Sequence, residues 1–148
     1  MLGWLKRGGS TQGWLAVSID EAGLAFAHAT RMRGARAQIA GYAVERSKRD
    51  LPASAQYSTM LRPGEYDILM VEAPNVPRAE MKSALRWKVK DLVDYPITDA
   101  TVEFLEIPQE PGATAGRSQH MYAILARNEV IQGRIEQFES AGIPLQVI

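Results

Sequence analysis

Apolar and polar residues alternate with period two in three places near the start of the chain. Leu15, Val17 and Ile19 alternate with Ala16, Ser18 and Asp20, and Glu21-Ala22-Gly23 supplies a turn. Leu24, Phe26, His28 and Thr30 then alternate with Ala25, Ala27 and Ala29. Gly34 interrupts the pattern, and Gln38 to Val44 gives a third run. Alternation of this kind marks half-buried strands, and the tight turns predict a three-stranded antiparallel meander. Residues 46–66 are polar and broken by Pro52, Pro63 and Gly64, with a short helix expected between Leu51 and Leu61. Asp67-Ile-Leu-Met-Val-Glu-Ala73 is almost continuously apolar, the pattern of a strand covered on both faces.

A helix is predicted next. Pro77 can occupy its first position, where a missing N–H costs nothing, and Pro96 bounds its end. Over Arg78 to Asp94, the residues Met81, Leu85, Val89, Leu92 and Val93 form one apolar stripe, with Ala84 at its margin. Two strands come after it, Thr101 to Ile107 and Met121 to Arg127, separated by a Gly-, Pro- and Ser-rich loop from Pro108 to His120. Asn128 is placed as the N-cap of a second helix with Ile131, Ile135 and Phe138 on one face. Gly142 is placed to end it in the left-handed conformation. Pro144 to Ile148 opens another strand, which predicts that the chain is the first part of a longer protein.

Composition narrows the function classes. The chain has 148 residues, 46% of them hydrophobic, and no cysteine, so disulfide and thiolate chemistry are excluded. No apolar run approaches the roughly 20 residues a bilayer span needs. The start, Met1 to Gly9, lacks the apolar core of a signal peptide, so the expected address is the cytoplasm. Trp4 and Leu5 beside Lys6 and Arg7 could touch an anionic membrane only weakly, so residues 1–13 are expected to form a flexible tail. Lys and Arg number 17, as do Asp and Glu, for a net charge of zero. A nucleic-acid binder would show a basic excess, so nucleic acid is not an expected partner.

Candidate chemistry is sparse. His28 and His120 are the only histidines, too few for a metal centre without cysteines, and His28 alternates with apolar residues like a core strand histidine. No Gly-x-Ser-x-Gly elbow is present. Glu103 and Glu106 stand at odd spacing on one strand and face opposite sides, so they cannot act as an acid/base pair. Asp20 ends the first strand, the one position that could begin a phosphate-binding turn. Glu21 and Ala22 come directly after it, placing a carboxylate where backbone N–H groups and hydroxyls would be needed to hold an anion. A plain hairpin turn is the favoured reading, and no cofactor is expected. The predicted helix carries more information. Trp87 lies opposite the apolar stripe, where it either packs against a neighbouring segment or serves as an exposed anchor for a partner. Arg78, Lys82, Arg86 and Lys90 recur at every fourth residue, forming either a solvated face or a docking surface for acidic groups.

Two stretches resemble one family. Val76 to Pro96, leading into Asp99-Ala-Thr-Val-Glu-Phe104, resembles the central segment of PilM/MshI-type pilus-biogenesis proteins. Ala123-Ile-Leu-Ala-Arg-Asn128 and Phe138 to Ile148 are similar to the segment that closes that family's first lobe. The resemblance implies an actin-like α/β fold, of which this chain would be the first lobe. Residues 14–66 and 128–148 would form a ribonuclease-H-like subdomain, and residues 67–127 an inserted strand-helix-strand-strand module. It also implies a non-enzymatic adaptor at the inner face of the bacterial inner membrane, in the assembly platform of a type IV pilus of the mannose-sensitive haemagglutinin (MSHA) kind. The implied partner is a single-pass, PilN-like inner-membrane protein, whose short cytoplasmic tail would dock in the groove beside the module, near Trp87 and the basic row. Two alternatives share the fold: an actin-like ATPase binding ATP as the full-length protein, and the cytoplasmic domain of a type II secretion platform.

Overall fold

Alternation, glycine turns and proline stops translate into ten main elements. The computed structural model describes residues 13–21, 23–30, 36–45, 55–108 and 119–148. In chain order they are β1 (Trp14–Asp20), β2 (Gly23–Thr30), β3 (Gln38–Glu45), β4 (Gln56–Ser58), β5 (Asp67–Glu72), α1 (Met81–Val89), β6 (Ala100–Glu106), β7 (His120–Arg127), α2 (Asn128–Ser140) and β8 (Leu145–Val147). Single 3₁₀ turns cover Arg78–Glu80 and Ile97–Asp99. The chain divides into two units, residues 1–61 with 133–148, and residues 62–132. The expected tail at residues 1–13 lies almost wholly outside the described residues, as does most of the loop from Pro108 to His120.

The first unit holds a five-stranded sheet in the order β3-β2-β1-β4-β8. Its first three strands form the predicted antiparallel meander, with Leu15 opposite His28, Val17 opposite Phe26 and Ile19 opposite Leu24. β1–β4 and β4–β8 are parallel pairs. The helix expected between Leu51 and Leu61 is corrected: residues 51–54 lie outside the described residues, and the strand β4 takes up Gln56–Ser58. Ala55, Tyr57 and Thr59 are buried while Gln56 and Met60 are exposed, a period of two that favours a strand. The Thr59 hydroxyl donates to the Val17 carbonyl at 2.8 Å, and the Tyr57 N–H to the Gln146 side-chain oxygen. Leu15, Val17, Leu24, Phe26, Tyr57, Phe138 and Ile143 share one core.

The end of α2 obeys its sequence closely. Gly142 takes φ 61°, its N–H donates to Glu139 at 2.7 Å, and the Ile143 N–H donates to Phe138 at 2.9 Å. This is a full Schellman cap, closed by its apolar pair Ile143 and Phe138 in the common core. The beginning differs in detail. Asn128 is the first helical residue, and its side-chain oxygen accepts from the Thr101 hydroxyl at 2.9 Å. Along the predicted stripe Phe138 is buried and Ile131 and Ile135 half-buried, but the most buried residue beside Phe138 is Arg134.

The second unit is a three-stranded antiparallel sheet, β5-β7-β6, with α1 on one face. Met81, Leu85 and Val89 share a core with Val71, Val102, Met121, Ala123 and Leu125. Two expectations are corrected here. α1 ends at Val89 rather than reaching Asp94, because the Leu92 N–H turns back to Val89 at 2.9 Å. The next residues instead send Asp94 to Arg127 and Tyr95 to Asp67. Leu92 therefore leaves the stripe and is 59% exposed, while Val93 still packs on the core. β5 is covered on one face only: Val71 is buried, but Ile68 and Met70 are 54% and 63% exposed. Among the described residues no helix is long and apolar enough to cross a membrane.

Candidate functional site

Packing Met81, Leu85 and Val89 of α1 against the sheet sets the predicted row about 100° round the helix, on its flank toward β6, and there it separates into individuals. Arg78 pairs with Glu106, and its guanidinium lies 5.3 Å from the centre of the Phe104 ring. Lys82 pairs with Glu103. Exposed ion pairs such as these contribute about 0–1 kcal/mol, so a ligand could reorganise them at little cost. Arg86 is different. It donates from Nη1 to the Ile97 carbonyl at 3.2 Å and from Nη2 to the Ala100 carbonyl at 3.0 Å. Its planar fork ties the turn at residues 97–99 to α1. The row is therefore not a uniform cationic face, because Arg86 serves the fold.

Trp87 is 74% exposed, so among the described residues it does not pack into a neighbouring segment. The Lys90 ammonium stands 4.9 Å over its ring, an interaction of about 0.5–1 kcal/mol when exposed. No carboxylate pairs with Lys90 among the described residues. Trp87 and Lys90 thus form an exposed aromatic and cation pair, with the exposed Leu92 two residues on. Lys88 points elsewhere and donates to the Glu72 carbonyl at 2.8 Å.

The loop after α1 is fastened by a polar cluster. The Tyr95 hydroxyl donates to Asp67 at 2.8 Å, and the Arg127 guanidinium stacks 4.5 Å from the Tyr95 ring. Arg127 also donates to Asp94 at 3.2 Å. Burial, then the bond to the Asp67 carboxylate and its charge, push the Tyr95 phenol up to about 12, against the opposing pull of Arg127. The phenol therefore stays protonated, and a donor, throughout the physiological range.

The sequence reading missed the outer face of the three-stranded sheet, opposite α1. The register sets Met70, Tyr122 and Leu105 in one row across the three strands, and Ile68, Ile124 and Glu103 in the next. Met70, Tyr122, Leu105 and Ile68 are exposed. Period-two alternation in Thr101 to Glu106 carried the signal for β6. On β5 the unbroken apolar run concealed which residues face outward.

The remaining candidates are separate from these surfaces. Asp20 pairs with Gly23, and its carboxylate accepts from the Gly23 N–H at 3.2 Å. His28 is buried on the core side of β2, opposite Leu15. His120 is exposed at the start of β7. Glu103 and Glu106 do face opposite sides of β6, opposite Ile124 and Met121 respectively, and each holds a cation from the α1 region. Among the described residues no three His, Asp or Glu side chains converge as metal ligands would.

No family profile matches this sequence, and no curated protein matches it. Solved structures do. A chain of a PilM–PilN type IV pilus biogenesis complex is similar over 91% of this chain, with a TM-score of 0.67 and 17% identity. The cytoplasmic domain of EpsL, an inner-membrane component of the type II secretion system of Vibrio cholerae, is similar over 90%, with a TM-score of 0.57 and 12% identity. The chain spans 47% of the first and 56% of the second. At these identities the likeness establishes the fold, which is the actin-like α/β fold of the PilM and EpsL type.

Proposed function

We propose that this chain is a non-enzymatic adaptor at the cytoplasmic side of an inner-membrane assembly platform, of the type IV pilus kind and most like the MSHA system. In this reading it captures the short cytoplasmic tail of a single-pass, PilN-like membrane protein. The observation that carries the reading is the likeness over 91% of the chain to a protein from a PilM–PilN complex. Residues 14–66 and 128–148 then correspond to a ribonuclease-H-like subdomain and residues 67–127 to an inserted module. The reading assigns no nucleotide to the chain, because Glu21 comes after Asp20 and sets a carboxylate where phosphate oxygens would lie. A type II secretion platform is the second reading, favoured by the likeness to the EpsL cytoplasmic domain.

The tail's anchor is Trp87, with Lys90 beside it and the exposed pairs of Arg78 and Lys82 along the same helix. Arg86 is left to its structural role. A buried aromatic anchor contributes about 2 kcal/mol or more to binding, roughly thirtyfold in affinity. Isothermal titration with a synthetic peptide of a PilN cytoplasmic tail tests both levels. The wild type should bind and a folded Trp87→Ala protein should bind about thirtyfold more weakly. No binding by the wild type sinks the adaptor reading, whereas equal binding by the two proteins moves the tail away from α1.

A further inference from the structure

Glycine inside a helix needs a reason, because it weakens the helix–coil equilibrium about fivefold relative to alanine. The usual reasons are a positive φ or a neighbour too close for a Cβ. Gly133 has neither. It is the sixth of the thirteen residues of α2, it is exposed, and its φ is not positive. Among the described residues, a Cβ added there meets no atom within 4 Å outside its own helix backbone and chain neighbours. Alanine fits at this position and would strengthen the helix. What glycine supplies there is weakness.

That weak point falls where α2 passes from one unit to the other. The second unit ends at Gln132 and the first resumes at Gly133. Each end of the helix is fastened within a different unit. At its start the Asn128 side chain accepts from the Thr101 hydroxyl at 2.9 Å and donates to the Thr98 carbonyl at 3.5 Å, both in the second unit. At its far end Phe138 is fully buried in the first unit's core, and Gly142 and Ile143 close the cap. The core around Tyr57 and Phe138 draws only on the first unit, and the core around Leu85 and Leu125 only on the second. The chain crosses between the units at one other point, from Leu61 to Arg62. That crossing lies in residues 60–66, between β4 and β5, where there is neither helix nor strand and Gly64 takes φ 91°. Of the two crossings, α2 is therefore the one stiffened by a ladder of hydrogen bonds. A helix bends at an identifiable weak residue, and hinges are a few positions that absorb the backbone change.

We propose that Gly133 makes α2 a hinge: the helix ladder opens there and lets the two units change their mutual orientation, with residues 60–66 following. The hinge acts whether or not a tail docks on α1.

The chain has no cysteine, so spin labels can be placed at chosen positions. Ser18→Cys in β1 and Ser83→Cys in α1, both exposed, label one unit each. Ser18→Cys with Ser140→Cys, also exposed, labels the first unit alone. Pulsed electron–electron double resonance reads the spread of label separations in each pair. The pair across the units should give a wider distribution than the pair within the first unit. Gly133→Ala should narrow the first and leave the second unchanged. Amide exchange from Arg134 to Glu136, whose helical bonds span Gly133, should slow about fivefold in the same variant. A cross-unit distribution as narrow as the within-unit one overturns the proposal, and so does a width that Gly133→Ala leaves unaltered. A lower urea midpoint for Gly133→Ala overturns it as well, since packing would then be what requires glycine.

Discussion

Replacing Arg86 with alanine should destabilise the second unit by about 2–3 kcal/mol, although the residue stands in a row of cations that resembles a solvated helix face. Its guanidinium donates two bonds, to the Ile97 carbonyl at 3.2 Å and the Ala100 carbonyl at 3.0 Å. Hydrogen bonds from a charged donor contribute about 1.5–3 kcal/mol each, and a buried acceptor left unmade costs about 1–3 kcal/mol. Ala100 is fully buried, so its carbonyl has poor access to water once the guanidinium is gone. Ile97 is half-buried and recovers part of its loss by hydration, which brings the sum below twice the single-bond figure. Arg86→Lys keeps the charge but not the planar fork, so it should recover about half of the stability that alanine loses.

Urea unfolding monitored by circular dichroism measures this directly. With a slope of about 2 kcal/mol/M, the Arg86→Ala midpoint should fall by about 1 M. Lys90→Ala is the matched control. It removes a cation from the same row, engaged only by the Trp87 ring among the described residues, and should stay within about 0.5 kcal/mol of the wild type. If Arg86→Ala also stays within that range, the fork is not a structural tie and the row is the uniform solvated face that its spacing suggests.

Two further outcomes rest on particular bonds. Gly142→Ala should cost about 1 kcal/mol by thermal or urea unfolding, because φ 61° at the α2 cap suits glycine and strains a residue with a Cβ. Tyr95→Phe should cost about 1 kcal/mol at neutral pH by removing the bond to Asp67. Because the folded Tyr95 phenol is raised to about 12, its contribution is complete below the unfolded value near 10 and is lost as pH rises through the folded one. A wild-type protein should therefore lose more stability than Tyr95→Phe between those limits, and parallel pH profiles would refute the assignment.

The parts of the fold that were legible are those set by local chemistry. The meander, the Schellman cap at Gly142 and the anchoring of α1 by Met81, Leu85 and Val89 each depend on residues a few positions apart. What remained hidden depends on partners far along the chain. β4 is only three residues long and exists because β1 and β8 flank it in parallel, a pairing that no window around Tyr57 contains. The role of Arg86 was masked for the same reason, since its acceptors lie 11 and 14 residues on. An arginine at regular spacing on a polar helix side looks the same whether it meets water or a carbonyl.

β5 shows the opposite effect, in which the sequence states a requirement that the structure leaves unmet. The run Ile68-Leu-Met-Val71 has the pattern of a strand buried on both faces, yet α1 covers only the Leu69 and Val71 side. Apolar side chains on the uncovered side contribute little to the stability of this fold beyond their cross-strand pairs, and they carry an aggregation hazard. Met70 stands opposite Tyr122 and Ile68 opposite Ile124, so the exposed apolar face continues from β5 onto β7. Ile68→Ser and Met70→Ser should accordingly leave the urea midpoint almost unchanged. Val71, buried on the covered side of the same strand, should instead lose stability on the same substitution, and equal midpoints would refute the one-sided covering.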